Sequence, residues 1–379
     1  MHERRIDLDW LRVLVFAVLI FYHIGMLYVS DWGYHYKSQY QSEFLQNIML
    51  LVNRWRLPLL FLISGIAIRF YFQKVSLIKF FGMRSLRLLV PLIFAVLVII
   101  PPQLYVEMIY KGDLDPIGYL EFIKAFFDLD HPMFEKYPSG IIPHMDVNHM
   151  WYIRELWWFS VYVIILSPLL NSSVLNSIID FLGNKKSPIR ILVLPVILLS
   201  LLSFWVFPQD SEGYRIAMGF SFLIIGYLLG WNEKLWLIIN RNRRLFFYCA
   251  FCTYLILIWY FHAVFKQSEA PSQGLGLYLE MLFSYFNRWC WILMILGYAS
   301  EYLKKKNKWI GYLNEGVYPY YILHQTILIV MAYYLTPYSL GGIIEPIVVI
   351  LVTFIGCGVG YEVIRRFKVT RLLFGLKII

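Results

Sequence analysis

An arginine and a histidine interrupt the first apolar stretch of the sequence, "RVLVFAVLIFYHIGMLY", which covers residues 12–28. Arg12 and His23 are its only strongly polar side chains, and each is costly in hydrocarbon unless it has a partner or a function. They are eleven residues apart, so in a helix His23 lies about 16 Å deeper than Arg12. Histidine titrates near neutral pH and can act as a general base. The pair therefore suggests proton-transfer chemistry in the middle of a membrane.

A second histidine, His324, lies in the late apolar segment "YPYYILHQTILIV" and is predicted to reach the same depth. A lone histidine in a helix is most often a core group that donates to a backbone carbonyl. Two histidines at mid-depth, together with arginines in other apolar segments, make that interpretation weaker. From these residues alone, a proton-coupled transporter and an enzyme are about equally favoured.

Five arginines fall inside or at the mouth of an apolar segment: Arg12, Arg54, Arg56, Arg154 and Arg288. Extension of the side chain to the interface explains Arg12 and Arg154, which are near segment ends. It explains Arg288 poorly, because "FSYFNRWCWILMIL" places that residue near the middle of its segment. Together the arginines predict a polar cavity for an anionic or hydroxyl-rich ligand, with separate structural ion pairs as the alternative.

The composition indicates the elements that position these residues. The chain has 379 residues, of which 60% are hydrophobic and only 15% charged, whereas soluble domains average about 45–50% and about 25%. Runs of bilayer length recur throughout. We therefore predict an all-α, polytopic membrane protein that forms one domain over residues 1–379. The ten predicted spans are 8–30, 45–70, 86–110, 149–171, 189–207, 214–232, 245–265, 275–299, 309–335 and 343–364.

The distribution of Lys and Arg predicts the orientation. With the N-terminus in the cytoplasm, the inner segments hold 23 basic residues and the outer loops only 6, as the positive-inside rule requires. Both termini are therefore expected in the cytoplasm, and residues 111–148 outside. The basic residues are scattered over several short loops, so the net charge of +10 does not favour nucleic-acid binding. The inner set is Arg4, Arg5, Arg69, Lys74, Lys79, Arg84, Arg87, Lys185, Lys186, Arg190, Lys234, Arg241, Arg243, Arg244, Lys304, Lys305, Lys306, Lys308, Arg365, Arg366, Lys368, Arg371 and Lys377.

Two weaker patterns do not predict a metal site. The four cysteines, Cys249, Cys252, Cys290 and Cys357, all fall in predicted spans, where packing is the expected role. In the outer loop, His131 and His144 lie near Asp128, Asp130 and Asp146. Their irregular spacing favours a solvated loop.

Five stretches together resemble the acyltransferase 3 family of integral-membrane acyltransferases. "RIDLDWLRVLVFAVLIFYH" is similar to the family's opening signature, in which an arginine, ten intervening residues and a histidine follow a Leu-Asp element. Four later stretches match in order, and the resemblance runs over nearly the whole chain. They are "PLLFLISGIAI" with Phe61, Ser64 and Gly65, "MRSLRLLVPL" with Arg84, Arg87 and Pro91, "HMWYIREL" with His149 and Trp151, and "YPYYILHQTI" with Tyr318, Tyr321 and His324.

Within that family the sequence looks most similar to the periplasmic-glucan succinyltransferase type, also called glucan biosynthesis protein C. The similarity lies in the long acidic outer loop and in "NHMWYIRELWWF". Met150 and Tyr152 replace the usual Leu and Phe and conserve size. Family members with a fused esterase-like domain are thought to hand it the acyl group. No such domain follows span ten here, so we expect this chain to complete the transfer itself, as a homo-oligomer or with a separate periplasmic partner.

The resemblance implies an O-acyl transfer across the bacterial inner membrane. The donor would be cytoplasmic acetyl-CoA or succinyl-CoA, with no other cofactor and no metal. The acceptor would be a hydroxyl of an extracytoplasmic glycan or glycolipid. His23 would accept the hydroxyl proton, Arg12 would orient the donor, and His324 would be a second proton carrier or a structural partner.

The remaining roles implied by the resemblance concern binding. Lys79, Arg84 and Arg87, with Ser64, would bind the CoA phosphates, although topology charge explains the basic residues equally well. The acceptor-binding set would be Arg54, Arg56, His149, Trp151, Arg154 and Arg288. Trp55, Trp151, Trp157 and Trp158 could stack on sugar rings or form an interfacial aromatic belt.

Two rival functions remain open from the sequence. A transporter of a small anion or polyol would use the same arginines and histidines without chemistry. A non-catalytic partner in envelope-glycan assembly would tolerate loss of His23.

Overall fold

The computed structural model of the chain describes residues 5–72, 74–115, 117–140, 142–183, 188–206, 211–230, 232–267 and 273–378. Arg4, Lys185 and Lys186 of the predicted inner charges lie outside these ranges. The described residues confirm the all-α prediction, with a single isolated β-bridge between Val29 and Ser42. The α-helices are α1 Ile6–Tyr28, α2 Glu43–Phe72, α3 Leu77–Phe94, α4 Pro101–Lys111, α5 Tyr119–Phe126, α6 Trp151–Ile165, α7 Ser167–Leu170, α8 Ser173–Gly183, α9 Ile189–Trp205, α10 Glu212–Leu229, α11 Glu233–Arg241, α12 Arg243–Ala263, α13 Gly274–Tyr302, α14 Lys308–Leu335, α15 Ile344–Ile364 and α16 Lys368–Leu373.

Seven helical segments of the described chain are long and apolar enough to cross a membrane. They contain α1, α2, α3, α6, α10, α12 and α15, and they identify a multi-pass membrane protein. The other three predicted spans correspond to α9, which has only 17 residues, and to the longer α13 and α14. Polar residues near the middle of these two helices, Asn287–Arg288 in α13 and His324–Gln325 in α14, lower their mean hydropathy. The count of ten spans stays a prediction.

The chain divides into two compact units. The first comprises the described residues of 1–15, 50–80 and 159–310, and the second those of 16–49, 81–158 and 311–378. Each unit therefore draws its helices from distant parts of the sequence.

Prolines inside three helices leave backbone carbonyls that other helices cap. Proline has no N–H, so the carbonyl four residues earlier loses its helical partner. In the first unit, Pro195 leaves the Ile191 carbonyl of α9, which accepts a hydrogen bond from Trp289 Nε1 at 2.8 Å. In the second unit, Pro91 leaves the Arg87 carbonyl of α3.

The two other carbonyls that proline leaves open, those of Arg87 and Arg54, also have donors. The hydroxyl of Tyr318 donates to the Arg87 carbonyl of α3 at 3.0 Å. In the first unit, Pro58 of α2 likewise leaves the Arg54 carbonyl, and Arg288 Nε donates to it at 2.8 Å. Each pair satisfies a carbonyl that proline leaves without a helical donor and joins two helices at a fixed register.

Glycines allow α2 and α10 of the first unit to pack backbone against backbone. A Cβ at Gly65 would lie 1.9 Å from the Leu223 carbonyl oxygen, and a Cβ at Gly226 would lie 2.0 Å from that of Leu62. Small residues allow such close approach between membrane helices. The glycine after Ser64 therefore has a packing role.

Two consecutive prolines end the third apolar segment earlier than predicted. The predicted span 86–110 continues through Pro101 and Pro102, which cannot donate helical hydrogen bonds. In the structure α3 begins at Leu77, continues as a π-helical turn over Ala95–Ile99, and is followed by the separate helix α4. Gln103 N donates to the Ile100 carbonyl at 2.8 Å, which leaves the Ile99 carbonyl for another donor.

The loop over residues 111–148 of the second unit, which is predicted to lie outside, has a small hydrophobic core of its own among its described residues. Phe122, Phe126 and Phe134 pack there with Met145 and neighbouring residues. His144 stacks on Phe134 with ring centroids 4.0 Å apart, and its Nε2 donates to the Phe126 carbonyl at 2.8 Å. The prediction of a solvated loop is therefore wrong for His144, because the surrounding aromatic side chains bury it.

Candidate functional site

Two histidines from the two ends of the sequence meet in the second unit. His23 lies on α1 and His324 on α14, and His23 Nδ1 is 2.7 Å from His324 Nε2. Their rings are nearly parallel, with centroids 5.0 Å apart. His324 is fully buried, so its ring orientation is fixed by packing. Sequence analysis predicts that both are functional, and the structure joins them as a hydrogen-bonded dyad.

The backbone of α14 determines which nitrogen of each ring carries the proton. His324 Nδ1 lies 2.7 Å from the Tyr321 carbonyl oxygen, and a carbonyl can only accept, so Nδ1 carries the hydrogen. In neutral His324 the Nε2 atom is then an acceptor, and His23 Nδ1 must donate to it. Neutral His23 therefore has its lone pair on Nε2, the atom that can accept a proton from a substrate.

A third histidine packs beside the dyad. The His149 ring stands edge-on to His324, with centroids 5.3 Å apart. Its Nε2 donates to the Ile322 carbonyl at 3.1 Å, and its Nδ1 is 3.4 Å from Gln103 Nε2. Both ring nitrogens thus have partners within the protein. This arrangement suits a residue that positions the dyad.

Amides and a hydroxyl that the sequence analysis missed surround the three histidines. Gln103 Nε2 donates to Thr326 Oγ1 at 2.6 Å, and that hydroxyl donates to the Ile99 carbonyl left by the double-proline turn. Gln325 Nε2 donates to Asn148 Oδ1 at 3.0 Å and to Gln103 Oε1 at 3.3 Å. Gln103 is fully buried. The available signal was a Gln-Thr pair directly after His324 and a glutamine directly after two prolines.

Local backbone geometry places His149 at the head of α6. Asn148 has φ 44°, a left-handed conformation that asparagine adopts more readily than most residues. A 3₁₀ turn over Asn148–Met150 then leads directly into α6. The Asn148 side chain faces Gln325, while the next residue sends its ring toward His324.

A cavity of about 190 Å³ opens beside Asn148 in the second unit. Its lining combines carboxylates, hydroxyls and imidazoles with aromatic and aliphatic groups, a mixture suited to a hydroxyl-rich ligand. The lining residues are His35, Ile100, Leu104, Glu107, Phe126, Tyr137, Ser139, His144, Met145, Asp146 and Asn148.

Glu107 is the most strongly paired charge in that lining. It accepts hydrogen bonds from His35 and Lys111. Burial raises the pKa of the Glu107 carboxyl, but the hydrogen bonds and charges of these two partners outweigh burial and lower the pKa to about 2. Glu107 is therefore an anion at neutral pH.

The second unit also holds the predicted site residues Arg154, Trp151, Arg84 and Arg87. Arg154 forms a salt bridge with the buried Glu155, and Arg154 Nη2 lies 2.8 Å from Glu155 Oε1. For this arginine the structure agrees with the alternative prediction of a structural ion pair. Trp151 is half-buried at the start of α6. Arg84 is half-buried and Arg87 exposed. They are three residues apart on α3, which places them on one helix face.

The first unit holds the other predicted residues. Arg12 Nη1 lies 3.4 Å from Asp9 Oδ1, one turn earlier on α1. Arg56 is buried, with 6% of its surface exposed, and Lys79 is exposed near the start of α3. Ser64 precedes the tightly packed glycine of α2.

Arg54 and Arg288 are directly connected in the first unit, as described for the carbonyl left by Pro58. Arg54 Nη1 also donates to Ser284 Oγ at 2.6 Å. The two arginines that sequence analysis placed in one cavity are therefore neighbours.

No arrangement of three or more His, Cys, Asp or Glu side chains suited to a metal ion occurs among the described residues. The four cysteines are free thiols, with Cys290 and Cys357 buried, Cys249 half-buried and Cys252 exposed.

Comparison with known proteins gives one match. The family model of acyltransferase 3, described as an acyltransferase domain, matches residues 5–362, nearly the whole chain. No curated protein and no solved structure matches the chain. The matched range includes the histidine dyad, the arginine pair and the cavity.

Proposed function

Because the chain belongs to the acyltransferase 3 family, we propose that it is a transmembrane O-acyltransferase that moves an acetyl or succinyl group from cytoplasmic acyl-CoA to a hydroxyl of an extracytoplasmic glycan. The observation that carries this proposal is the 2.7 Å hydrogen bond between His23 and His324, whose direction is fixed by the Tyr321 carbonyl. It presents a basic nitrogen in the interior of a membrane protein.

The proposed step uses His23 Nε2 as general base. The acceptor hydroxyl gives its proton to Nε2 while its oxygen attacks the thioester carbon. The C–S bond then breaks, the ester forms, and the departing CoA thiolate takes the proton from His23. His23 is cationic only during the reaction, so its hydrogen bond to His324 Nε2 becomes charge-assisted at that moment. An interaction that is stronger in the transition state than in the ground state accelerates the reaction.

Binding roles follow from the positions of the charged groups. Arg84, Arg87 and Lys79 on α3 suit the CoA phosphates, and Arg12 would orient the donor. The cavity beside Asn148 suits the acceptor, because its hydroxyls and carboxylates can hydrogen-bond a sugar ring. With both termini in the cytoplasm and residues 111–148 outside, this cavity faces the extracytoplasmic side of the bacterial inner membrane. A separate periplasmic protein or a second copy of the chain would complete delivery where needed.

The test uses the purified full-length chain with acetyl-CoA or succinyl-CoA and, as acceptor probes, short glucose oligosaccharides. CoA thiol release and mass spectrometry of the sugars report the reaction. We expect acyl-sugar formation by the wild type and a loss of at least about 10²–10⁴-fold in His23→Ala, with acyl-CoA affinity retained. A transporter of a small anion or polyol would form no ester in this assay. A folded His23→Ala protein with wild-type turnover would refute the mechanism.

Envelope glycans from cells with and without the protein identify the natural acceptor and acyl group. Mass spectrometry should show a mass increase of one acetyl or one succinyl group only when the protein is present.

A further inference from the structure

The first unit contains two positive charges at the middle of two long helices. Arg288 is the central residue of α13, with fourteen residues on either side. Arg54 lies about 5 Å along the axis from the middle of α2, which has 30 residues. Neither arginine is close to a helix end, so neither can reach an interface as easily as a terminal arginine can.

Both guanidinium groups have neutral partners. Arg54 donates to the hydroxyl of Ser284 at 2.6 Å. Arg288 donates to the Arg54 carbonyl at 2.8 Å and to the sulfur of Met218 at 3.0 Å, and its guanidinium lies 4.9 Å from the Tyr285 ring centre. Within the described part of the chain, neither forms a salt bridge with a carboxylate.

Positive charges outnumber negative charges in the cluster formed by Arg54, Arg288 and Glu280. The carboxylate of Glu280 acts electrostatically on Arg54. Glu280 lies two turns before Arg288 on α13, and its Oε2 accepts from the Tyr260 hydroxyl at 3.3 Å. Counting Arg54, Arg288 and Glu280, the cluster carries one net positive charge. An uncompensated cation inside a membrane protein is costly, and such residues commonly mark a ligand site.

The hydrogen bonds of Arg54 and Arg288 indicate that the two arginines have different structural roles. Arg288 Nε is committed to the carbonyl left by Pro58, so this residue is needed for the structure of α2. Arg54 makes no bond to a backbone carbonyl, and its bond to Ser284 could equally be made by an uncharged amide. The positive charge of Arg54 thus has no structural use in the described contacts.

We propose that Arg54 and Arg288 form a binding site for one oxyanion, a carboxylate or a phosphate group, inside the first unit. Arginine is suited to this role because its planar donors match the oxygens of both groups. One monovalent anion would neutralise the cluster. The inference does not depend on the acyl transfer proposed above, since it rests on charge and geometry in a unit that does not hold the dyad.

The experiment measures anion binding as a shift in thermal unfolding, without an activity assay. The full-length chain in phosphatidylcholine nanodiscs is titrated with inorganic phosphate and with succinate, and KCl holds the ionic strength constant. A second arm adds phosphatidylglycerol to the nanodiscs in place of soluble anions. A ligand that binds only the folded state raises the unfolding midpoint in a saturable way. A response to soluble anions indicates a free ligand, and a response only to the lipid indicates a headgroup phosphate.

Three variants make the test specific. Arg54→Gln keeps an amide donor for Ser284 but removes the charge, and we expect anion affinity to fall about 10- to 100-fold. Glu280→Gln removes the compensating negative charge, so affinity should rise. Arg69→Gln is the matched control on the same helix, because Arg69 also has neutral partners, Asn171 and the hydroxyl of Tyr227, but lies near the helix end; it should respond like the wild type.

The proposal is overturned if neither arm gives a saturable shift in the wild type. It is equally overturned if Arg54→Gln responds as strongly as Arg69→Gln. If Arg54→Gln loses acyl transfer but binds the anion normally, the acyltransferase proposal survives and the oxyanion site does not.

Discussion

Replacement of His324 tests whether the dyad acts through its hydrogen bond. His324→Leu fills a similar volume but offers no acceptor to His23 Nδ1. In the wild type, the hydrogen bond from His23 Nδ1 to His324 becomes stronger by about 1–1.5 kcal/mol when His23 becomes an imidazolium, because the bond is then charge-assisted. The leucine variant loses this extra stabilisation of the transition state. The N–H of His23 is also left without an acceptor in a buried site, which costs about 1–3 kcal/mol more. We therefore expect kcat/KM for acyl transfer to fall about 30- to 2,000-fold.

His324→Gln should restore much of the lost rate. The amide oxygen of glutamine can accept from His23 Nδ1, and its NH₂ group can donate to the Tyr321 carbonyl, so the tautomer of His23 is kept. We expect this variant to stay within about tenfold of the wild type. His262→Leu, an exposed histidine of the first unit, serves as the control and should be unaffected.

The assay is CoA release with the purified variants, paired with thermal unfolding to show that each is folded. Equal losses in the leucine and glutamine variants would refute the hydrogen-bond reasoning, because only one of them lacks an acceptor. They would instead favour a role in which the imidazole of His324 itself carries a proton.

Four further outcomes test the sequence predictions and the structure. Charge reversal of Arg84 or Arg87 to Glu should weaken acyl-CoA binding by about 1.5–3 kcal/mol each in a folded, inserted protein. A single cysteine at position 130, in a background without the four native cysteines, should react with an impermeant thiol reagent from outside the cell. The lowered pKa of Glu107 contributes stability that is fully present above about pH 4.5 and is lost as the pH falls toward about 2, so the protection of amides around Glu107, relative to their intrinsic exchange rate at each pH, should fall over that range. Trp289→Phe should lower the free energy of unfolding by about 1–3 kcal/mol, because it leaves a buried carbonyl of α9 without a donor.

Each of these outcomes has a contrary result. Unchanged acyl-CoA affinity in both charge-reversal variants would make the two arginines topology charges only. Labelling of position 130 from the cytoplasm would invert the orientation and the direction of transfer. If Glu107→Gln shows the same acid response as the wild type, another group causes it. A Trp289→Phe protein as stable as the wild type would mean that water or another group satisfies the carbonyl.

The apolar pattern predicted most of the helices but not how they connect. Predicted span 8–30 is α1 with both ends shifted by two residues, because length and hydropathy determine a lone apolar helix. Span 86–110 was wrong at both ends, since proline geometry rather than hydropathy decides where α3 and α4 divide. The helices α5, α8, α11 and α16 were missed, because they are too short for a signal of bilayer length.

The candidate site was predicted in its ionisable members and missed in its amide and hydroxyl members. His23 and His324 could be found because an ionisable group is conspicuous in an apolar run. Gln103 and Asn148 could not, because nothing in a sequence shows that Gln325 meets both a glutamine after two prolines and an asparagine from another segment. The direction of the dyad's hydrogen bond needs the position of the Tyr321 carbonyl, which only the structure supplies.

The proline-freed carbonyls also impose an order on biogenesis. In all three pairs the acceptor lies on α2, α3 or α9, and the donor arrives later in synthesis, on α13 or α14. Until then each carbonyl lacks this donor, and an unsatisfied polar group within a membrane costs several kcal/mol. The nascent protein is therefore held in an incomplete state through most of translation and becomes committed to its fold only when its last third enters the membrane. Chains interrupted before α13 would keep these carbonyls unsatisfied, and we expect membrane proteases to degrade them faster. A pulse-chase comparison of chains truncated before α13 and after α14 would measure that difference in lifetime.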